Sequence, residues 1–138
     1  MAPQMIFVNL PVKDLGVSRA FYEKLGYTIN PQFSDDSTAC VVISDTIFLM
    51  LLTEEKFQQF TAPGKTLADA RATTQALFSL SAESREKADE LADRALAAGG
   101  SPAKEPLEMG FMYGRSFADP DGHHWEVFWM DPAAVEQG

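Results

Sequence analysis

Glu126 stands in the middle of the run His124–Met130 (HWEVFWM), whose aromatic and branched residues read as a strand. Strand alternation puts His124, Glu126 and Phe128 on one face and Trp125, Val127 and Trp129 on the other. The second set is wholly apolar and predicts the side that meets a core. Glu126 is left beside an imidazole and a phenyl ring, placed to serve as a general base or as the main polar contact of a ligand. On the preceding strand Tyr113 and Arg115 share a face by the same alternation. Together they could hold a carbonyl or an anion, since arginine grips a carboxylate bidentately. The simpler alternative pairs Arg115 with one of the chain's many carboxylates. Near the N-terminus Asn9 shares a face with Phe7 and is a candidate pocket amide.

These residues need elements to position them. Asp119-Pro120-Asp121-Gly122 is a tight turn, with proline presetting one φ and glycine accepting a positive one. Met5–Val12 alternates cleanly and predicts a half-buried strand with Ile6, Val8, Leu10 and Val12 on its aliphatic side. Asp14 caps a helix that Gly26 stops, with Val17, Ala20, Phe21 and Leu25 along one face. Tyr27–Phe33, Ala39–Ser44 and Thr46–Thr53 read as three further strands. Glu54–Phe60 is a candidate short helix, and Thr61–Thr73, with Pro63-Gly64, is a linker. The pattern then begins again. Gln75–Ser81 is a strand, and Ser84 caps a helix striped with Ala88, Leu91, Ala92, Ala95 and Leu96 and closed by Gly99-Gly100. Pro102–Glu108, Phe111–Phe117 and His124–Met130 follow as strands, and the polar tail from Asp131 reads as loosely held.

The organisation is therefore strand-helix-strand-strand-strand, twice: module 1 over about residues 4–53, a linker over about 54–73, and module 2 over about 74–130. This predicts an α+β fold of two βαβββ modules, each a mixed sheet with a helix on one face, forming a cleft suited to a small ligand.

At 138 residues the length suits one domain. A net charge of -9 argues against nucleic acid and anionic membrane surfaces as partners. The single cysteine, Cys40, rules out an intramolecular disulfide and a cysteine-based zinc site. With no basic-apolar leader pattern and no apolar run of spanning length, a cytoplasmic protein is expected.

Four pieces carry a resemblance in this order and spacing: Phe7–Leu15 (FVNLPVKDL), Ala20–Gly26 (AFYEKLG), the Gly99-Gly100 helix end, and Asp119–Glu126 (DPDGHHWE). They resemble the vicinal oxygen chelate superfamily, which includes glyoxalase I, the fosfomycin and bleomycin resistance proteins and the extradiol dioxygenases. The resemblance spans nearly the whole chain, as a single glyoxalase-like domain over 1–138. Gly110–Ser116 (GFMYGRS), running into Asp119, is similar to the branch called lactoylglutathione lyase-related.

In members that use a metal, four strand positions aim ligands into the cleft. The resemblance puts them on Phe7, on Leu51 or Met50, on Gln75 and on Glu126, of which only Glu126 is an ordinary metal ligand. It implies a protein that binds a small, partly apolar molecule without a tightly held metal or other cofactor, and that forms a homodimer. Its pocket would be walled by Phe7, Asn9, Leu51, Gln75, Tyr113, Arg115 and Phe128 around Glu126. Two alternatives stand beside this. One is a lyase or transferase of the glyoxalase I type, dependent on zinc, nickel, manganese or iron. The other is a metal-free enzyme with Glu126 as general base.

Overall fold

The computed structural model describes residues 2–134. The chain divides between Asp69 and Ala70 into two compact units.

In the first unit, β1 (Ile6–Val12) leads into helix α1 (Leu15–Lys24), followed by β2 (Thr28–Ile29), β3 (Thr38–Val42), β4 (Ile47–Thr53) and helix α2 (Glu54–Phe60). The sheet order is β1-β4-β3-β2, with β1 parallel to β4 and the other pairs antiparallel. Asp14 caps α1 by accepting the Val17 N–H at 3.1 Å. Alternation and register together set the core. Leu10 lies opposite Leu51, Leu51 opposite Ala39, and Leu49 opposite Val41. All of these are buried, and α1 packs on β3 and β4 with its own buried Phe21 and Tyr22. Each fully buried leucine there contributes roughly 1.5–3 kcal/mol. The other face carries Phe7, Asn9, Cys40, Phe48, Met50 and Leu52.

The strand expected over Tyr27–Phe33 is cut to two residues. Pro31 has no N–H to give a ladder, and Pro31–Phe33 instead forms a 3₁₀ turn capped by the Asn30 side chain.

The second unit repeats the plan: β5 (Leu77–Ala82), helix α3 (Arg85–Ala97), β6 (Ser101–Pro102), β7 (Leu107–Glu108), β8 (Met112–Ala118) and β9 (His124–Met130). The sheet order is β5-β9-β8-β6, with β7 also on β8; β5 and β9 run parallel. The single strand expected over Pro102–Glu108 is two short pairings, interrupted where Lys104 and Pro106 leave the ladder. Ser84 caps α3 by accepting the Lys87 N–H at 3.0 Å. Ala88, Ala92 and Ala95 form its fully buried stripe, small enough for the helix to lie close on β8 and β9. Phe117, Trp125 and Val127 are the buried side chains of the sheet face it covers. The fold is thus α+β, with two βαβββ modules. Of the tail, Pro132–Ala134 is a 3₁₀ turn, and 135–138 lie outside the described residues. Among the described residues no helix is long and apolar enough to cross a membrane.

Candidate functional site

The turn before β9 fixes where Glu126 stands. The buried Asp119 carboxylate accepts the N–H groups of Asp121 and His123 at 3.0 and 2.9 Å, and its backbone closes the hairpin with Gly122 and His123. Gly122 has φ +95°, and a Cβ there would also come within 2.8 Å of the Ala70 backbone. Glycine is required twice over.

On the uncovered face of the second sheet, Glu126 lies between Ser79 of β5 and Ser116 of β8 by register. The Ser79 hydroxyl donates to Glu126 Oε1 at 3.1 Å, and His124 Nε2 lies 3.2 Å from Oε2. The side chains of His124 and Glu126 are only 14% and 16% exposed, so the pair is largely shielded from water. An ionised carboxylate only accepts, so in this pairing Nε2 carries the hydrogen. Two residues along β9, the Phe128 ring lies over Gly114, its cross-strand partner. Leu107, opposite Gly114 on β7, completes the apolar wall. Together with Lys104, Glu105, Arg115 and Ser116 these residues surround a pocket of about 100 Å³. Ser116 holds the pocket's rim. Its Oγ accepts the Lys104 N–H at 2.9 Å and donates to the Lys104 carbonyl at 3.3 Å.

Tyr113 and Arg115 do share a face, but it is the one covered by α3. The Tyr113 hydroxyl donates to Asp89 at 2.6 Å, while Arg115 reaches Asp89 at 2.8 Å and Asp93 at 3.0 Å. First the Tyr113 hydroxyl and then Arg115 hold the Asp89 carboxyl below its ordinary range. The same bond, with Asp89 as acceptor, raises the Tyr113 phenol. These two residues are struts between sheet and helix; Tyr113 does not line the Glu126 pocket, whereas Arg115 does, with its guanidinium tied to Asp89 and Asp93. Further along the same face the Arg85 guanidinium sits 5.2 and 5.1 Å from the centroids of the Tyr113 and Trp129 rings and forms a bidentate pair with Glu108. That pair, with the Gly110 N–H, lowers Glu108 to about 2.

In the first unit Phe7 and Asn9 lie on the face opposite α1, on which α2 packs. Phe7 is 51% exposed and stacks on Phe48 at 4.9 Å, and the Asn9 amide donates to the Phe7 carbonyl at 3.2 Å. Asn9, Leu52, Phe57, Phe60 and Thr61 line a groove of about 420 Å³ beside α2. Leu51 is fully buried on the opposite face, against α1, and so is core rather than pocket wall. The neighbour of Asn9 on β4 is Met50. Gln75 is exposed and precedes β5; it lies four residues before Ser79, the residue that pairs with Glu126.

These donors do not fit a divalent metal. Phenyl, thioether and a displaced amide occupy three of the four positions, which leaves Glu126 as the one carboxylate among them. Among the described residues no three His, Cys, Asp or Glu side chains are grouped to hold one. Sequence reasoning missed Ser79, Ser116 and Gly114, and set His124 on the face of Glu126 without giving it a role. The shared face of His124 and Glu126 was the one signal available.

Residues 4–44 match the family described as bleomycin resistance protein-like N-terminal. No curated protein matches the chain. Among solved structures it is similar to a hypothetical protein, SA1046, from S. aureus, with 29% identity over 94% of each chain and a TM-score of 0.76. A glyoxalase/bleomycin resistance protein/dioxygenase family enzyme from Burkholderia phytofirmans is 18% identical over 93% of this chain and 99% of its own, with a TM-score of 0.75. A bleomycin resistance determinant encoded on the transposon Tn5 is 19% identical over 94% and 99%, with a TM-score of 0.62. With two βαβββ modules and these neighbours together, the chain has the fold of the glyoxalase, bleomycin resistance and dioxygenase proteins, and its residues 4–44 match the bleomycin resistance protein-like N-terminal family.

Proposed function

We propose that this protein binds a small, partly apolar molecule on the uncovered face of its second sheet, without a tightly held metal. The reading rests on one observation: a shielded carboxylate, Glu126, and an aromatic ring, Phe128, line the same pocket. A carboxylate kept from water is costly unless something compensates it. Ser79 and His124 supply part of that compensation, and a ligand group would supply the rest. The apolar wall of Phe128 and Leu107 favours a ligand with hydrocarbon beside its polar end.

A second reading has support from the same bonds. Ser79 and His124 hold the carboxylate in one orientation, as a metal-free general base requires. The metal-dependent lyase of the glyoxalase I type lacks a donor set here. Native mass spectrometry of freshly purified protein tests the binding reading. A reproducible small-molecule adduct, lost in Glu126→Gln, is expected. Adducts that do not depend on residue 126 would overturn it.

A further inference from the structure

The hydrogen-bonding capacity left inside the Glu126 pocket is one-sided. A carboxylate offers about four lone-pair positions. Ser79 takes one on Oε1 and His124 one on Oε2, so both oxygens keep capacity to accept. The Ser116 hydroxyl spends its only hydrogen on the Lys104 carbonyl and can offer nothing but a lone pair. The hydrogens of Ser79 and of His124 Nε2 are committed to Glu126. What remains of these side chains toward a ligand is acceptors.

Charge points the same way. Lys104 and Glu105 stand together at the rim with opposite signs, and the Arg115 guanidinium, though its residue also lines the pocket, is paired with Asp89 and Asp93. Glu126 therefore sets the sign. Beside it the Phe128 ring lines the same pocket, and an aromatic ring attracts a cation that reaches its face. The volume of about 100 Å³ admits a head group of only a few heavy atoms, given about 30 Å³ for one water in the liquid.

We propose that this pocket recognises a protonated primary amine, or an equivalent small N–H cation, at one end of the ligand. The inference rests on the binding function proposed above and names the chemical class its polar end takes. A carboxylate or phosphate end would be repelled by the Glu126 carboxylate and would meet the lone pair of Ser116, with Lys104 at the rim as its cationic partner. A neutral hydroxyl would be accepted but would forgo both the ion pair and the ring.

The test uses the isotope-labelled full chain titrated with propylammonium chloride, 1-propanol and sodium propionate at matched ionic strength, read by amide chemical shifts. Propylammonium should give saturable shifts centred on Gly114, Ser116, Glu126 and Phe128. It should bind about tenfold tighter than 1-propanol, the scale of one charge-assisted hydrogen bond, and propionate should not saturate. Glu126→Gln should remove the preference for the amine over the alcohol. Phe128→Leu, which preserves apolar bulk, should weaken the amine about threefold through loss of the ring face alone.

Equal binding of amine and alcohol, both at these residues, would overturn amine recognition while leaving the small-molecule reading in place. Unsaturable shifts spread over the acidic surface and unchanged in Glu126→Gln would overturn it as mere charge attraction. No shift at the pocket with any probe would also overturn it, and the adduct experiment separately decides whether a ligand binds at all.

Discussion

Across β8 and β9 the Phe128 ring occupies the space that a side chain at Gly114 would need. A Cβ at residue 114 would stand 2.3 Å from Phe128 Cε1, far inside van der Waals contact. The glycine is a floor for the ring, and the ring is a wall of the Glu126 pocket. Gly114→Ala must therefore turn the phenyl ring out or shift the strand. We expect a loss of about 1–3 kcal/mol from overpacking, together with weaker ligand binding. Thermal melting and ligand titration check this. A variant with unchanged melting and binding would mean that the ring has an equally good second position.

Glu126→Gln keeps the size of the side chain and its acceptor toward Ser79. His124 can answer the new amide by changing tautomer, so the hydrogen-bonded array survives in neutral form. Stability should change by less than about 1 kcal/mol while ligand binding or turnover is lost. An early-melting variant would instead make the His124–Glu126 pair structural.

Acid should act first on the opposite face. The folded pKa of Glu108 is about 2 against an ordinary 4.5, and Asp89 is also lowered. In the unfolded chain these groups bind protons at higher pH, so stability rises with pH through that window. The contribution of Glu108 is complete above about pH 4.5 and disappears as pH falls through about 2. Urea midpoints measured from pH 6 to 2 should fall less steeply for Glu108→Gln than for wild type. Arg115→Ala, which leaves Asp89 and Asp93 facing the sheet without their cation, should cost about 1–2 kcal/mol at neutral pH. Parallel acid profiles for wild type and Glu108→Gln would remove the Arg85–Glu108 pair from this account.

How much of this the sequence carried depends on whether the cause is local. Asp14 and Ser84 cap their helices through bonds to residues three positions on, and both caps are legible from residue type alone. Alternation correctly put His124, Glu126 and Phe128 together. It could not say which side Tyr113 and Arg115 would face, because α3 decides that through Asp89 and Asp93. The choice between Leu51 and Met50 is a slip of one residue, which reverses the face of a strand. Ser79 and Ser116 flank Glu126 only through register with strands 47 and ten residues away in sequence. No local pattern encodes that. The early end of β2 was readable in Pro31, whose missing N–H was underweighted.

We expect a homodimer. β1 and β5 each lie at the edge of their sheet, and Ile6, Phe7 and Leu77 on them are 55%, 51% and 58% exposed. Apolar edge strands invite pairing with another chain. Sedimentation velocity should give a dimer at micromolar concentration, and Leu77→Lys or Ile6→Lys should shift it toward monomer. A monomeric wild type would count against this.

The last prediction concerns metal. Wild-type protein purified without chelator or immobilised nickel should carry far less than one transition-metal ion per chain and should not isomerise the glutathione–methylglyoxal hemithioacetal. Glu126 is the one carboxylate at the four family positions, and its oxygens are held by Ser79 and His124. The register also shows how a site would be built. Ser79 and Ser116 flank Glu126 on the same face, with side chains about 5 Å away across each strand pair. Ser79→His and Ser116→His together would put two imidazoles beside the carboxylate, giving three donors and keeping His124 as the partner that orients Glu126. Zinc affinity measured by calorimetry should rise from undetectable to at least the micromolar range, with release of protons on binding. The double variant will be less stable without metal, since it loses the Ser79 hydrogen bond and the Ser116 hold on Lys104. A wild type that carries about one metal per chain, and loses an activity with it on dialysis against chelator, would overturn the metal-free reading and promote the lyase.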